Sequence, residues 1–110
     1  MATITKQVAV PAGIAMTFGA ANSGGDQFLN TGKEVLIVKN GDSTATTVTI
    51  TGQRACNQGT THSQAISVAA SAEEVIGPLN PYFYNDANGY VQITYSKVTS
   101  LTEAVVTVSL

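Results

Sequence analysis

The sequence predicts an all-β fold: a single antiparallel β-sandwich or jelly-roll-like small barrel with an extended N-terminal segment. Three observations predict it. Fifteen of the 110 residues are threonine, whose branched Cβ and hydroxyl suit a wet sheet face. Apolar and polar residues alternate with period two, most clearly in Thr47-Val48-Thr49-Ile50-Thr51, where Val48 and Ile50 share one face. Turn signals rich in Gly, Asn, Asp and Pro recur every ~8–12 residues, the spacing of a sandwich or barrel.

Residues 4–10 alternate loosely and stop at Pro11-Ala12-Gly13, so residues 1–12 read as an arm or edge strand ahead of a β-sandwich domain over 13–110. Residues 14–18 alternate again, and Asn22-Ser23-Gly24-Gly25-Asp26 is a loop signal. Lys33-Glu34-Val35-Leu36-Ile37-Val38-Lys39 is apolar on both faces in its middle, the mark of a central strand covered on both sides. Asn40-Gly41-Asp42 between two strand patterns predicts a hairpin whose second strand is 46–51.

Residues 52–63 form a polar excursion containing Arg54, Cys56 and His62. Strands follow at 65–69 and 73–76, divided by a tight break at Ala70-Ser71-Ala72. The prolines of Gly77-Pro78-Leu79-Asn80-Pro81 make that stretch irregular, since proline cannot donate to a ladder and restricts the residue before it. Tyr82-Phe83-Tyr84 leads into a turn at 85–89. Residues 90–95 put Val91, Ile93 and Tyr95 on one face, and 102–109 put Ala104, Val106, Val108 and Leu110 in register. No stretch reads as helix: 65–75 comes nearest, and small and β-branched residues break it.

Apolar residues make up 44% of the chain and charged residues only 11%, against roughly 25% charged in an ordinary soluble domain. A hydroxyl-rich, weakly charged surface is cheaply desolvated and gives up the charges that keep sheet edges apart, so a protein partner or self-association is expected. The net charge is −2, and Lys6, Lys33, Lys39, Arg54 and Lys97 are scattered. That leaves no electrostatic footprint for nucleic acid. No apolar run is long enough for a membrane helix, which needs about 18 residues. Met1-Ala2-Thr3-Ile4-Thr5-Lys6 does not read as a secretion signal, and the single Cys56 cannot form an internal disulfide, so a reducing site of synthesis is expected.

The groups that could perform chemistry are few. Cys56 and His62 are six residues apart, but no acid lies between Asp42 and Glu73 to orient the imidazole. They read as a loop histidine and a small buried or half-buried cysteine, and a structural zinc site would need four ligands. Asp86, in Tyr84-Asn85-Asp86-Ala87-Asn88-Gly89, resembles part of a calcium loop, but Tyr95 stands where the bidentate acid is required. Turn chemistry explains it. Glu73 and Glu74 point to opposite faces of a strand and charge one exposed position. Gly24-Gly25 matches no phosphate loop. Tyr82, Phe83, Tyr84, Tyr90 and Tyr95 could stack on sugars or bases, but packing and interface anchoring is the preferred reading. With no paired acids, triad or metal set, the chain is expected to be no enzyme and to carry no cofactor.

Phe28-Leu29-Asn30-Thr31-Gly32-Lys33-Glu34-Val35-Leu36-Ile37-Val38-Lys39-Asn40-Gly41 resembles small proteins encoded in the head-gene region of tailed bacteriophages and prophages. So do Val75-Ile76-Gly77-Pro78, Tyr84-Asn85-Asp86 and Gly89-Tyr90-Val91-Gln92-Ile93-Thr94-Tyr95, and the resemblance spans roughly residues 28–95. These look like head-decoration, or auxiliary capsid, proteins. The resemblance implies a compact β-sandwich or jelly-roll-like module, trimer favoured, that binds the outside of an expanded shell of major capsid protein and reinforces it. It brings no catalytic residues. Localisation on the capsid exterior of a virion, after synthesis in the host bacterial cytoplasm, follows from it. The contact residues expected on this reading are Ile4, Val8 and Val10 of the arm with Tyr82, Tyr84 and Tyr90. The competing expectations are another virion component (head–tail joining, tail-tube or fibre-associated) and a carbohydrate-binding β-sandwich module.

Overall fold

A computed structural model describes residues 2–54, 58–59 and 62–108. Its strands are β1 (Ala2–Thr3), β2 (Gln7–Val8), β3 (Gly19–Ala20), β4 (Asp26–Leu29), β5 (Glu34–Asn40), β6 (Thr46–Ile50), β7 (Gln64–Val68), β8 (Glu73–Ile76), β9 (Tyr90–Tyr95) and β10 (Leu101–Thr107). One helical turn, α1 (Pro81–Tyr84), precedes β9.

The strands form two facing sheets, in the orders β1-β4-β9-β6-β7 and β2-β10-β5-β8, with β3 sharing the β10 edge with β2. The fold is a β-sandwich. Alternation builds its core: Phe28, Val48, Ile50, Val91 and Ile93 from the first sheet meet Leu36, Val38, Leu101 and Val105 from the second. Thr47 and Thr49, out of phase with Val48 and Ile50, lie half-buried on the outer face, where Thr49 pairs with Thr94.

Most pairings are antiparallel, but the sheets are mixed because of the N-terminal segment. β1 runs parallel to β4, and β2 runs parallel to β10. Residues 2–8 therefore form a strap that leaves one sheet and joins the other along the same side of the sandwich. Backbone bonds from Ala2 to Gly25, Ile4 to Gln27 and Ala9 to Thr107 fasten it.

The hairpin expected at Asn40-Gly41 does not form. β5 pairs with β10 and β8, whereas β6 lies in the other sheet beside β7 and β9. The Asn40 side chain makes this a sheet-crossing corner: its Oδ1 accepts the Asp42 amide at 3.0 Å, and its Nδ2 donates to the carbonyls of Thr44, Val68 and Ala69. Asn30 works the same way at the β4–β5 crossing, accepting the Gly32 amide and donating to the Leu79 carbonyl. An Asx turn whose amide reaches the opposite sheet carries the chain across the layer gap.

Three further expectations are corrected. Residues 14–18 form no strand; the chain there is irregular until β3. A helical turn does occur at 81–84, because Asn80 Oδ1 accepts the Tyr82 amide at 2.9 Å and Pro81 occupies the first turn, where its missing N–H costs nothing. In β10 the core-facing set is Leu101, Glu103 and Val105, and Ala104 and Val106 are buried on the other face. Cys56 and Leu110 lie outside the described residues.

The crossings define two ends. The Asn30 end holds residues 30–33, 51–54, 77–89 and 108, where β4, β6, β8 and β10 finish; the Asn40 end holds 21–25, 41–45, 69–72 and 96–100.

Candidate functional site

Acids stand in core phase at two positions: Asp26 two residues before Phe28, and Glu103 between Leu101 and Val105. The fold points both between the sheets, where they are 2% and 3% exposed. Tyr95, from β9, closes the cluster. Its hydroxyl lies 2.7 Å from Asp26 Oδ2 and in a short contact with Glu103 Oε2. The Asn22 amide adds a donor to Asp26 at 3.1 Å.

Electrostatics follow from this geometry. Burial and the neighbouring Asp26 carboxyl push Glu103 up to about 8, against the partial relief of the Tyr95 contact. Burial and the two acids push the Tyr95 phenol well above its ordinary range. A cavity of about 390 Å³ opens over the cluster. Its floor includes Asp26 and Glu103, and its walls come from the strap (Ala2, Thr3, Ile4, Thr5 and Gln7) and from Thr17, Gly19 and Ala20. Such a cluster can hold and release one proton in a partly closed, largely apolar setting. The nucleophilic groups among its described lining residues are the hydroxyls of Thr3, Thr5 and Thr17, and among the described residues no group of three or more His, Cys, Asp or Glu is placed to hold a metal. Sequence reasoning missed the pair, because Asp26 reads as the end of a loop and the strand phase read for 102–109 puts Glu103 on the face opposite Ala104 and Val106.

Glu34 is a third buried acid, fully enclosed at the Asn30 end. Burial alone would raise its pKa. The Thr31 amide, the hydroxyls of Thr107 and Thr31, and Lys6 Nζ at 3.3 Å outweigh that and hold it at about 2. Asp86 is a turn residue: its Oδ1 accepts the amides of Asn88 and Tyr90, and its Oδ2 accepts Gln92 Nε2. Burial opposes ionisation there too, but these donors and the Gly89 amide hold the carboxyl below its ordinary range.

The expected contact residues divide. Val8 and Val10 are about half exposed, and Tyr82 is 59% exposed. Ile4 and Tyr84 are partly buried against the core, and Tyr90 is half-buried at the start of β9. Six of the eight large apolar side chains exposed among the described residues belong to one end: Val8, Val10, Leu29, Tyr82, Phe83 and Val108 lie at or just beyond strand termini of the Asn30 end. Sequence reasoning named Phe83 among the anchoring aromatics but missed Leu29 and Val108, because their convergence depends on which strands finish together.

The aromatic part of this end is held rigidly. Tyr82 and Phe83 meet edge to face at 5.0 Å, Arg54 lies 4.2 Å over the Tyr82 ring, and Arg54 Nε donates to the Tyr82 carbonyl. Arg54, His62, Phe83 and Tyr84 line a smaller cavity of about 290 Å³. Among the described residues the exposed charges here are Lys33 and Arg54, whereas Glu73 and the Asp42–Lys97 pair lie toward the Asn40 end. No family model, curated protein or solved structure matches the chain.

Proposed function

We propose that this chain is a non-enzymatic structural protein that docks on the outer surface of a capsid lattice and stabilises it, as head-decoration proteins of tailed bacteriophages do. The observation that carries the reading is the gathering of exposed apolar and aromatic side chains, with Lys33 and Arg54 as the accompanying charges, on the Asn30 end. An apolar patch flanked by cations suits a protein surface with acidic groups around an apolar centre. The strand-and-turn resemblance to phage head-region proteins supplies the kind of partner.

Self-association, with a trimer favoured, belongs to the same reading. β7 and β8 end their sheets with open ladder edges, and neighbouring copies would cover them. Many copies on a repeating shell would turn a modest contact into firm attachment.

The test is co-sedimentation of the purified protein with empty procapsids and with expanded heads. Saturable binding to expanded heads, with a rise in the temperature at which they rupture, supports the reading; no binding to either shell overturns it. Density for the protein at the head–tail joint or on the tail would favour another virion component. The cavity beside Arg54, Phe83 and Tyr84 is the specific feature favouring a carbohydrate-binding module. Glycan-array binding that Tyr84→Ala abolishes, with no shell binding, would select that alternative.

A further inference from the structure

Tyr95 has one hydroxyl hydrogen and two carboxyl neighbours. If Asp26 and Glu103 were both ionised, one contact would be a hydrogen bond and the other a lone pair facing a carboxylate. A proton kept on Glu103 satisfies all three groups. Among the described residues no cation pairs with the cluster: the groups facing Glu103 are Asp26 from β4 and Tyr95 from β9, while β3 and β5 place uncharged Gly19 and Val38 in register with it. Lys39 stacks on Phe18, and Lys6 of the strap is engaged with Glu34. A second negative charge can therefore be accommodated only by admitting water, and the cavity is the adjacent route.

The walls of that cavity are unequal. β4 and β10 are fixed by extended ladders, whereas β3 and both ends of the strap are fastened by two-residue pairings.

We propose that the Asp26–Tyr95–Glu103 cluster is a proton-controlled latch: while it holds one proton the strap stays docked, and loss of that proton lets water in and releases residues 2–8 from both sheets. The apolar Val8 and Val10 travel with the strap, so mildly alkaline conditions would uncover the β4 and β10 edges and free those side chains together. The raised pKa of Glu103 puts the transition close to pH 8. The latch does not depend on what the Asn30 end binds.

Amide hydrogen exchange tests it, with rates corrected for intrinsic pH dependence, from about pH 6 to about pH 9.5. The Ile4 amide, which donates to Gln27, reports the strap, and Val105 in β10 reports the core. Opening coupled to loss of one proton lowers Ile4 protection about tenfold per pH unit as pH rises toward the transition and abolishes it above, where Val105 stays protected. Glu103→Gln makes Ile4 protection flat with pH. Asp26→Asn, which leaves Glu103 without a carboxylate neighbour, moves the transition to lower pH. Flat Ile4 protection in the unaltered chain, loss of Val105 protection together with that of Ile4 above the transition, an unchanged profile in Glu103→Gln, or an unmoved transition in Asp26→Asn each overturns the latch.

Discussion

Asn40 Nδ2 lies 3.1 Å from the Val68 carbonyl and ties the end of one sheet to the end of the other. With the Asx turn to Asp42, this side chain satisfies groups at a crossing where no ladder is available. Asn40→Ala should cost about 2–3 kcal/mol, because it strands buried carbonyls as well as removing hydrogen bonds. Asn40→Asp should cost more, since it replaces the donor with a charge in the same enclosed place. Urea unfolding of the two variants, compared with Thr44→Ala as a surface control, measures both.

The buried acids make stability depend on pH in opposite directions. Glu34 has its folded pKa lowered from 4.5 to about 2. Its contribution is complete above 4.5 and is lost as pH falls toward 2, about 3 kcal/mol at most. Glu103 is raised from 4.5 to about 8. Its contribution is complete below 4.5 and is lost as pH rises toward 8. The urea midpoint should therefore peak on the mildly acidic side. Glu34→Gln should flatten the acid limb and Glu103→Gln the neutral limb; a midpoint that climbs steadily from pH 5 to about pH 8 would contradict this assignment.

Gly25 sits at φ +93°, and a Cβ there would fall 2.7 Å from the Ile93 carbonyl oxygen. Neither the conformation nor the space admits a side chain, and the Gly25 carbonyl receives the Ala2 amide. Gly25→Ala should lower stability by about 2 kcal/mol or more. Gly13→Ala provides a comparison: it shares the positive φ but has open space around it, so it should cost about 1 kcal/mol. Thermal unfolding of the pair separates the steric part from the conformational part.

If the Asn30 end is the docking face, Val8→Asp combined with Tyr82→Ser should weaken shell binding at least about tenfold with little change in melting temperature, because both side chains are largely exposed. Val75→Asp, on the β8 edge, should leave shell affinity unchanged. Equal losses from the two changes would place the contact elsewhere. Sedimentation at fixed ionic strength is the appropriate measurement.

The all-β character and most strand positions were legible because alternation is a local property. Val48 and Ile50 against Thr47 and Thr49 need no partner to be recognised. Pairing was less legible. Asn40-Gly41 has hairpin composition, but Asn40 spends its amide on Val68 and Ala69, and that choice is visible only once those carbonyls are in place. The helical turn at 81–84 was masked by the flanking prolines, although Asn80 before Pro81 is a capping signal. The buried acid pair was not legible: Asp26 reads as part of a loop and Glu103 as lying opposite Ala104 and Val106, and what satisfies them comes from distant segments.

The strap also constrains the order in which the protein can be made. β2 finds its partner in Val106 and Thr107, and β5 cannot close its own sheet until β10 arrives. A newly synthesised chain must therefore hold nearly its whole length without completing one of its two layers, leaving the edge of Leu36 and Val38 open in the meantime. Folding governed by such distant pairing is slow. β2 can dock only once β10 is in place, so capture of residues 2–8 follows completion of that layer.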